Sequence, residues 1–277
     1  MTSITIEEDW VRALSPEGQE ARMPLRAMLE CLQPRRLSEI VWPGHVKHVC
    51  DMRSGGVVVH ETPPGVHNLK WITERSPAPF GPAARYRSVR IALPYVIVVA
   101  VFKFSPDGRL VLGGANECFF SNEALTSLEN ILCYPALLNC SRFHPSLKDR
   151  PLSWICTQFL DRSEFEGIED QGKRARASLE ALVRHLLQSG FNRSSDEHEL
   201  ASWYTETLRA KVDSRISSMK RWEKATEKNP FFVEQVPWLS TDMSLRKTIE
   251  RIRSNERLGG APRDAASLAR IVFNHAP

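Results

Sequence analysis

The run from Val89 to Phe104 constrains this chain more than any other segment. It is rich in β-branched and aromatic residues, which lose side-chain freedom in a helix but pack well on a pleated surface. Its apolar part, from Ile91 onward, is shorter than the roughly 18 residues that span a bilayer, and it holds Pro94 and Lys103. A strand is therefore predicted, not a membrane helix. Ser105-Pro106-Asp107-Gly108 follows with turn chemistry: proline fixes φ, aspartate bonds back to the chain, and glycine accepts positive φ. Leu110-Val111-Leu112 completes a hairpin, continued toward Cys118-Phe119-Phe120 after a Gly113-Gly114 bend.

Upstream, Val57-Val58-Val59 and Leu69-Lys70-Trp71-Ile72 read as short strands around a Thr62-Pro63-Pro64-Gly65 turn, and residues 75–88 as a proline-rich connector. Ser15-Pro16-Glu17 has a serine cap, a proline at the first position and an early acid, which predicts a helix over 15–32. Downstream the period changes. Leu179, Leu182, Val183, Leu186 and Leu187 fall on one helix face, and a longer helix is predicted over 197–227 with Leu208, Val212, Ile216 and Met219 on its stripe. A third is predicted around Leu245, Ile249 and Ile252, and a short terminal one after Asp264. The expected fold class is α+β, an antiparallel meander sheet flanked by helices, with extra C-terminal helices. Residues 1–88 are expected to form an N-terminal region, 89–228 the core, and 229–277 a helical extension.

A chain of 277 residues with 42% hydrophobic and 25% charged residues suits one core, or a core with a small appendage. The balance of 37 basic against 33 acidic residues, net +4, is too even to demand a nucleic-acid or membrane partner. Arg209, Lys211, Arg215, Lys220, Arg221, Lys224 and Lys228 do make a basic stretch, but Glu206, Asp213, Glu223 and Glu227 interleave with them, as on a salt-bridged face. The opening residues run into Glu7, Glu8 and Asp9 without the basic-then-apolar order of a secretion signal, and six cysteines in a chain this long read as reduced thiols. A cytoplasmic location is expected. His45, His48 and Cys50 have a ligand-like spacing without a persuasive fourth member and are read as polar residues on a strand, so no metal is expected. The glycine pairs lack a phosphate-binding pattern, so no cofactor is expected either.

The irregular segment between sheet and helices carries Tyr134-Pro135, then His144-Pro145-Ser146, then Ile155-Cys156, twelve positions on from His144. In this order the motifs resemble the ubiquitin-conjugating enzyme (UBC-like) superfamily, which has a Tyr-Pro step after its meander, a His-Pro-Asn motif and a catalytic cysteine soon after. Leu93-Pro94-Tyr95 is similar to the divergent bacterial branch. The resemblance implies a thioester on Cys156, a loop-holding role for His144, oxyanion help from Ser146 in the asparagine position, and help from Asp161 or Glu164 in deprotonating an incoming lysine. It also implies a ubiquitin-like modifier and an activating enzyme as partners, the latter meeting residues 15–36 with Arg22, Arg26, Arg35 and Arg36.

Ser146 in place of asparagine and the bulky Trp154 beside the cysteine leave a second reading open, a UBC-like scaffold in a multi-protein system whose transfer site has decayed. Pro230-Phe231-Phe232 and Pro237-Trp238-Leu239 are its candidate docking anchors. The enzyme reading expects an exposed cysteine outside any strand, and the scaffold reading expects a core thiol.

Overall fold

A computed structural model describes residues 2–32, 36–52, 54–73, 75–78, 83–105, 109–142, 151–187 and 202–255, together with 265, 268, 269, 272 and 273. It is a mixed α+β fold built on antiparallel strands. No helix among the described residues is long and apolar enough to cross a membrane.

The chain opens with strands where a helix is predicted. β1 (Ser3–Glu7), β2 (Trp10–Leu14) and β3 (Glu20–Pro24) form a three-stranded antiparallel sheet, and only Leu25–Leu32 is helical (α1). The Ser15-Pro16 signal caps a hairpin turn, not a helix. The Ser15 hydroxyl accepts from the amides of Glu17 at 3.2 Å and Gln19 at 3.1 Å, and Gly18 turns the chain at φ 83°. Serine and proline serve helix starts and turns alike, so the local code was ambiguous. Val11, Ala13, Met23 and Met28 form a small core here with Ala269 and Val272, described positions of a helical C-terminal stretch.

The main sheet runs β12-β13-β10-β8-β5-β4. Its strands are β4 (Val46–Met52), β5 (Gly55–Thr62), β8 (Tyr95–Phe104), β10 (Glu117–Ser121), β12 (Cys140–Ser141) and β13 (Trp154–Ile155). The predicted Val89–Phe104 strand divides at Pro94 into β7 (Tyr86–Leu93) and β8, and opposite it β5 gives way to β6 (Gly65–Ile72) at Pro63-Pro64. The two pairings nevertheless share one register. Gly55 faces Lys103 and Thr62 faces Val96, and beyond the prolines Gly65 faces Leu93 and Ile72 faces Tyr86 without a slip. One long two-stranded ribbon is thus interrupted where prolines, which cannot donate to a ladder, stand on both strands.

The predicted hairpin is present. β9 (Leu110–Leu112) pairs with β8 from Phe102↔Leu112 to Phe104↔Leu110, while residues 106–108 of its turn lie outside the described residues. β9 and β10 lie end to end along the same edge of β8, separated by the glycine bend. There the carboxamide of Asn116 stands in for the missing strand, accepting from the Val101 amide at 2.9 Å and donating to the Gly113 carbonyl at 2.7 Å.

β8 is buried on both faces. Val96, Val98, Ala100 and Phe102 join the larger core, under α3 (Gln171–Leu187), α4 (Trp203–Ala210) and α5 (Met219–Lys228). Ile97, Val99 and Val101 join the smaller one, under α6 (Leu245–Asn255). The remaining elements are α2 (Ser163–Glu166), β11 (Ile131–Cys133) and β14 (Ser240–Ser244), which pair with each other beside β10. The single helix predicted over 197–227 is instead broken. Lys211 ends α4 in the left-handed region, a short turn over Ser214–Ile216 is capped by Asp213, and α5 restarts at Ser218, whose hydroxyl accepts from the Arg221 amide. Residues 197–201 lie outside the described residues. α5 also closes the ribbon, since Trp222 Nε1 donates to the Ala92 carbonyl and Thr226 Oγ1 accepts from the Ala92 amide, each at 2.9 Å.

At Gly55, where β5 meets β8, φ is 151° and an added Cβ would lie 1.9 Å from the Phe102 carbonyl oxygen. Gly55→Ala is expected to destabilise the fold by about 2–4 kcal/mol, combining backbone strain and overpacking. Gly114→Ala, with nothing within 4 Å, is the matched control. Urea unfolding of the two variants checks this, and equal midpoints would refute it.

Candidate functional site

The segment that holds Cys156 is fastened on every side. β13 pairs with β10 through Glu117↔Trp154 and with β12 through Cys140↔Ile155 and Ser141↔Trp154. The Cys156 amide donates to the Asn139 carbonyl at 2.9 Å, which carries the ladder one residue past the strand. Cys156 and Asn139 are therefore opposed across the ladder, with side chains on the same side. The Cys156 carbonyl accepts from His185 Nε2 on α3 at 2.9 Å.

A buried carboxylate organises the approach to the cysteine. Glu117 is 1% exposed, and its Oε2 accepts from the amides of Leu152 at 3.1 Å and Ser153 at 3.3 Å. Arg251, reaching from α6, donates to both carboxylate oxygens at 2.6 and 2.7 Å. Burial holds the Glu117 carboxyl above its ordinary range, with Arg251 and the two amides offsetting part of the rise. Trp203 Nε1 donates to the Leu152 carbonyl at 2.9 Å, and Trp154 Nε1 to the Gly114 carbonyl at 2.7 Å.

Cys156 lies outside a strand, as the enzyme reading expects, but it is only 4% exposed, so the open thiol of that reading is not what the fold presents. Neighbouring thiols are also core groups. Cys118 and Cys140 are fully buried, and burial, followed by the adjacent Cys118 thiol, pushes the Cys140 thiol well above its ordinary range. Both side-chain polar atoms of buried Asn139 and the Nδ1 of His185 have no hydrogen-bond partner among the described residues. Since a carbonyl only accepts, the His185–Cys156 bond places the ring proton on Nε2, and burial lowers the imidazole pKa, keeping it neutral.

His144 and Ser146 lie outside the described residues. Asp161 is committed locally, its Oδ1 accepting from the Ser163 amide at 3.0 Å and hydroxyl at 2.6 Å, contacts that lower its pKa. Glu164 pairs with Arg184. Of the candidate docking anchors, Phe232 and Trp238 are core residues, and Phe231 stays 64% exposed. His48 and Cys50 sit on β4, and among the described residues no three His, Cys, Asp or Glu side chains cluster as a metal site. On the basic stretch Arg209 pairs with Glu206 and Arg215 with Asp213, the salt-bridged pattern read from the sequence.

Asn139, His185 and Glu117 went unread in the sequence. His185 carried a usable signal, since a polar residue between Leu182 and Leu186 on the apolar stripe of a helix needs a buried partner. A groove of about 1190 Å³ opens at the end of the β6–β7 ribbon, where Arg75, Arg85 and Arg87 stand beside Trp71, Tyr86 and Tyr204, and no described lining residue is acidic.

Two variants check this electrostatic frame. Glu117→Gln leaves Arg251 without its counter-charge and is expected to cost about 3 kcal/mol in urea unfolding, with faster amide exchange at Ser153. A cost under about 1 kcal/mol would show that the pair does not hold the segment. His60, on β5, has its pKa lowered to about 4 by burial first and then by His45. The unfolded chain protonates this ring at about 6.5 and the folded chain only near 4, so its contribution is full above pH 6.5 and is lost as pH falls toward 4, about 3 kcal/mol in all. His60→Gln is expected to flatten that acid limb, read from urea midpoints between pH 7 and 4.

Compared with known proteins, the chain matches no family model, no curated protein and no solved structure.

Proposed function

We propose that the chain is a divergent UBC-like protein acting as a protein-interaction module, with Cys156 as a structural thiol. The observation that carries this choice is the burial of Cys156 at 4% exposure, with both its main-chain groups hydrogen-bonded into the core. A carrier thiol must meet a second protein's carboxyl terminus and then an amine, and a buried thiol meets neither. Support for the UBC-like part comes from element order. The strands β4, β5, β8 and β10 are consecutive neighbours, an irregular segment with Tyr134-Pro135 and Cys156 follows, and α3 then packs on the sheet. The groove lined by Arg75 and Arg85, with Arg87 already paired to Glu223, suits an acidic partner segment by charge complementarity, and with Tyr86 its most exposed aromatic it is a poor stacking platform for bases.

The second reading, a conjugating enzyme carrying a ubiquitin-like modifier on Cys156, is favoured by the position of that residue just past β13 and outside any strand. Alkylation of the native chain, with the modified cysteines mapped by mass spectrometry, separates the two. Cys156 is expected to stay as protected as Cys118 and Cys140 while the half-buried Cys50 and Cys133 label first. Fast native labelling of Cys156 would overturn the structural-thiol assignment and favour the carrier reading.

A further inference from the structure

A guanidinium taken out of water needs an opposite charge or a full set of acceptors. Arg174, in the first turn of α3, is 6% exposed and among the described residues has neither. Its Nε donates to the Leu110 carbonyl at 3.3 Å, and its Nη1 to the carbonyls of Ile168 at 2.6 Å and Glu169 at 3.5 Å. Its Nη2 is buried without an acceptor, and no described carboxylate pairs with it. The other buried charges of the described sheet, Glu61 and Glu117, have Lys47 and Arg251. Arg174 stands apart in lacking such a partner.

The same residue lines a pocket of about 270 Å³ between β9 and the helices α2 and α3. Arg109 and Arg162 also line it, against a single acid among the described lining residues, Glu166, with Phe165 and Leu112 among its apolar walls. Arg162 and Glu166 form a 3.6 Å pair with both side chains at least half exposed, a weak contact that an incoming anion can replace. The volume lies just below the usual small-ligand range, so a compact molecule fits and a polymer does not.

We propose that this pocket binds a small organic oxyanion, a phosphate- or carboxylate-bearing molecule, with its charge between Arg162 and the Nη2 group of Arg174 and its apolar part on Phe165 and Leu112. Nη2 is the donor group left over on Arg174, and its Nε and Nη1 are already fixed by carbonyls, so the guanidinium is preorganised to give an oxyanion a charge-assisted hydrogen bond. This assignment is independent of the role of Cys156.

The test uses the full chain, titrated with inorganic phosphate and separately with succinate at constant ionic strength, followed by calorimetry and thermal unfolding. A saturable response to at least one anion is expected, and which anion gives it decides between phosphate and carboxylate chemistry. Arg162→Ala, at an exposed position, is expected to weaken that binding about tenfold, the scale of one charged hydrogen bond. Arg174→Met is expected to abolish it, and if that variant fails to fold, Arg162→Ala alone carries the test. No saturable response to either anion, or unchanged binding in Arg162→Ala, would overturn the proposal.

Discussion

The rest of the structure answers to the double burial of β8. A strand whose side chains are all apolar on one face and nearly so on the other has no side to turn to water, so the chain must cover it twice. The larger cover comes from α3, α4 and α5, and the smaller from α6. α3 and α6 contribute stripes of Leu or Ile, and α4 and α5 a Trp each, and each large apolar side chain so buried adds about 1.5–3 kcal/mol. The edges of the strand are spoken for as well, by β5 on one side and by β9, Asn116 and β10 in succession on the other.

Burial on this scale leaves polar groups inside, and the fold handles them unevenly. Glu117 and Arg251 answer one another and fasten the backbone at Leu152 and Ser153. Asn116 spends its carboxamide on a gap in the ladder. Asn139, His185 Nδ1 and Arg174 Nη2 are left without partners among the described residues. Unanswered polar atoms in an otherwise well-packed interior are where a fold keeps room for something beyond stability.

Much of this organisation was legible in the residues. The β-branched run, the hairpin chemistry after it and the 3.6-residue stripe of α3 all announced themselves because local propensity and tertiary burial agree there. The N-terminal strands and the broken helix after Ser202 did not. Ser15-Pro16 starts a turn as readily as a helix, and Asp213 and Ser218 are cap residues that a charge-rich stripe had hidden. At the candidate site the sequence left Cys156 open between an exposed thiol outside any strand and a core thiol, because its burial depends on Asn139 and His185 meeting it from distant segments. Ion pairing between Glu117 and Arg251 had no local trace at all, for the two are 134 residues apart.

That separation bears on how the molecule comes into being. A ribosome adding about 5–20 residues per second delivers Arg251 on the order of ten seconds after Glu117. Through that interval the sheet can assemble and Glu117 can already accept from the amides of Leu152 and Ser153, yet the carboxylate has no cation to meet. α6 is thus a late latch: until it docks, the buried acid on β10 stands without its counter-charge.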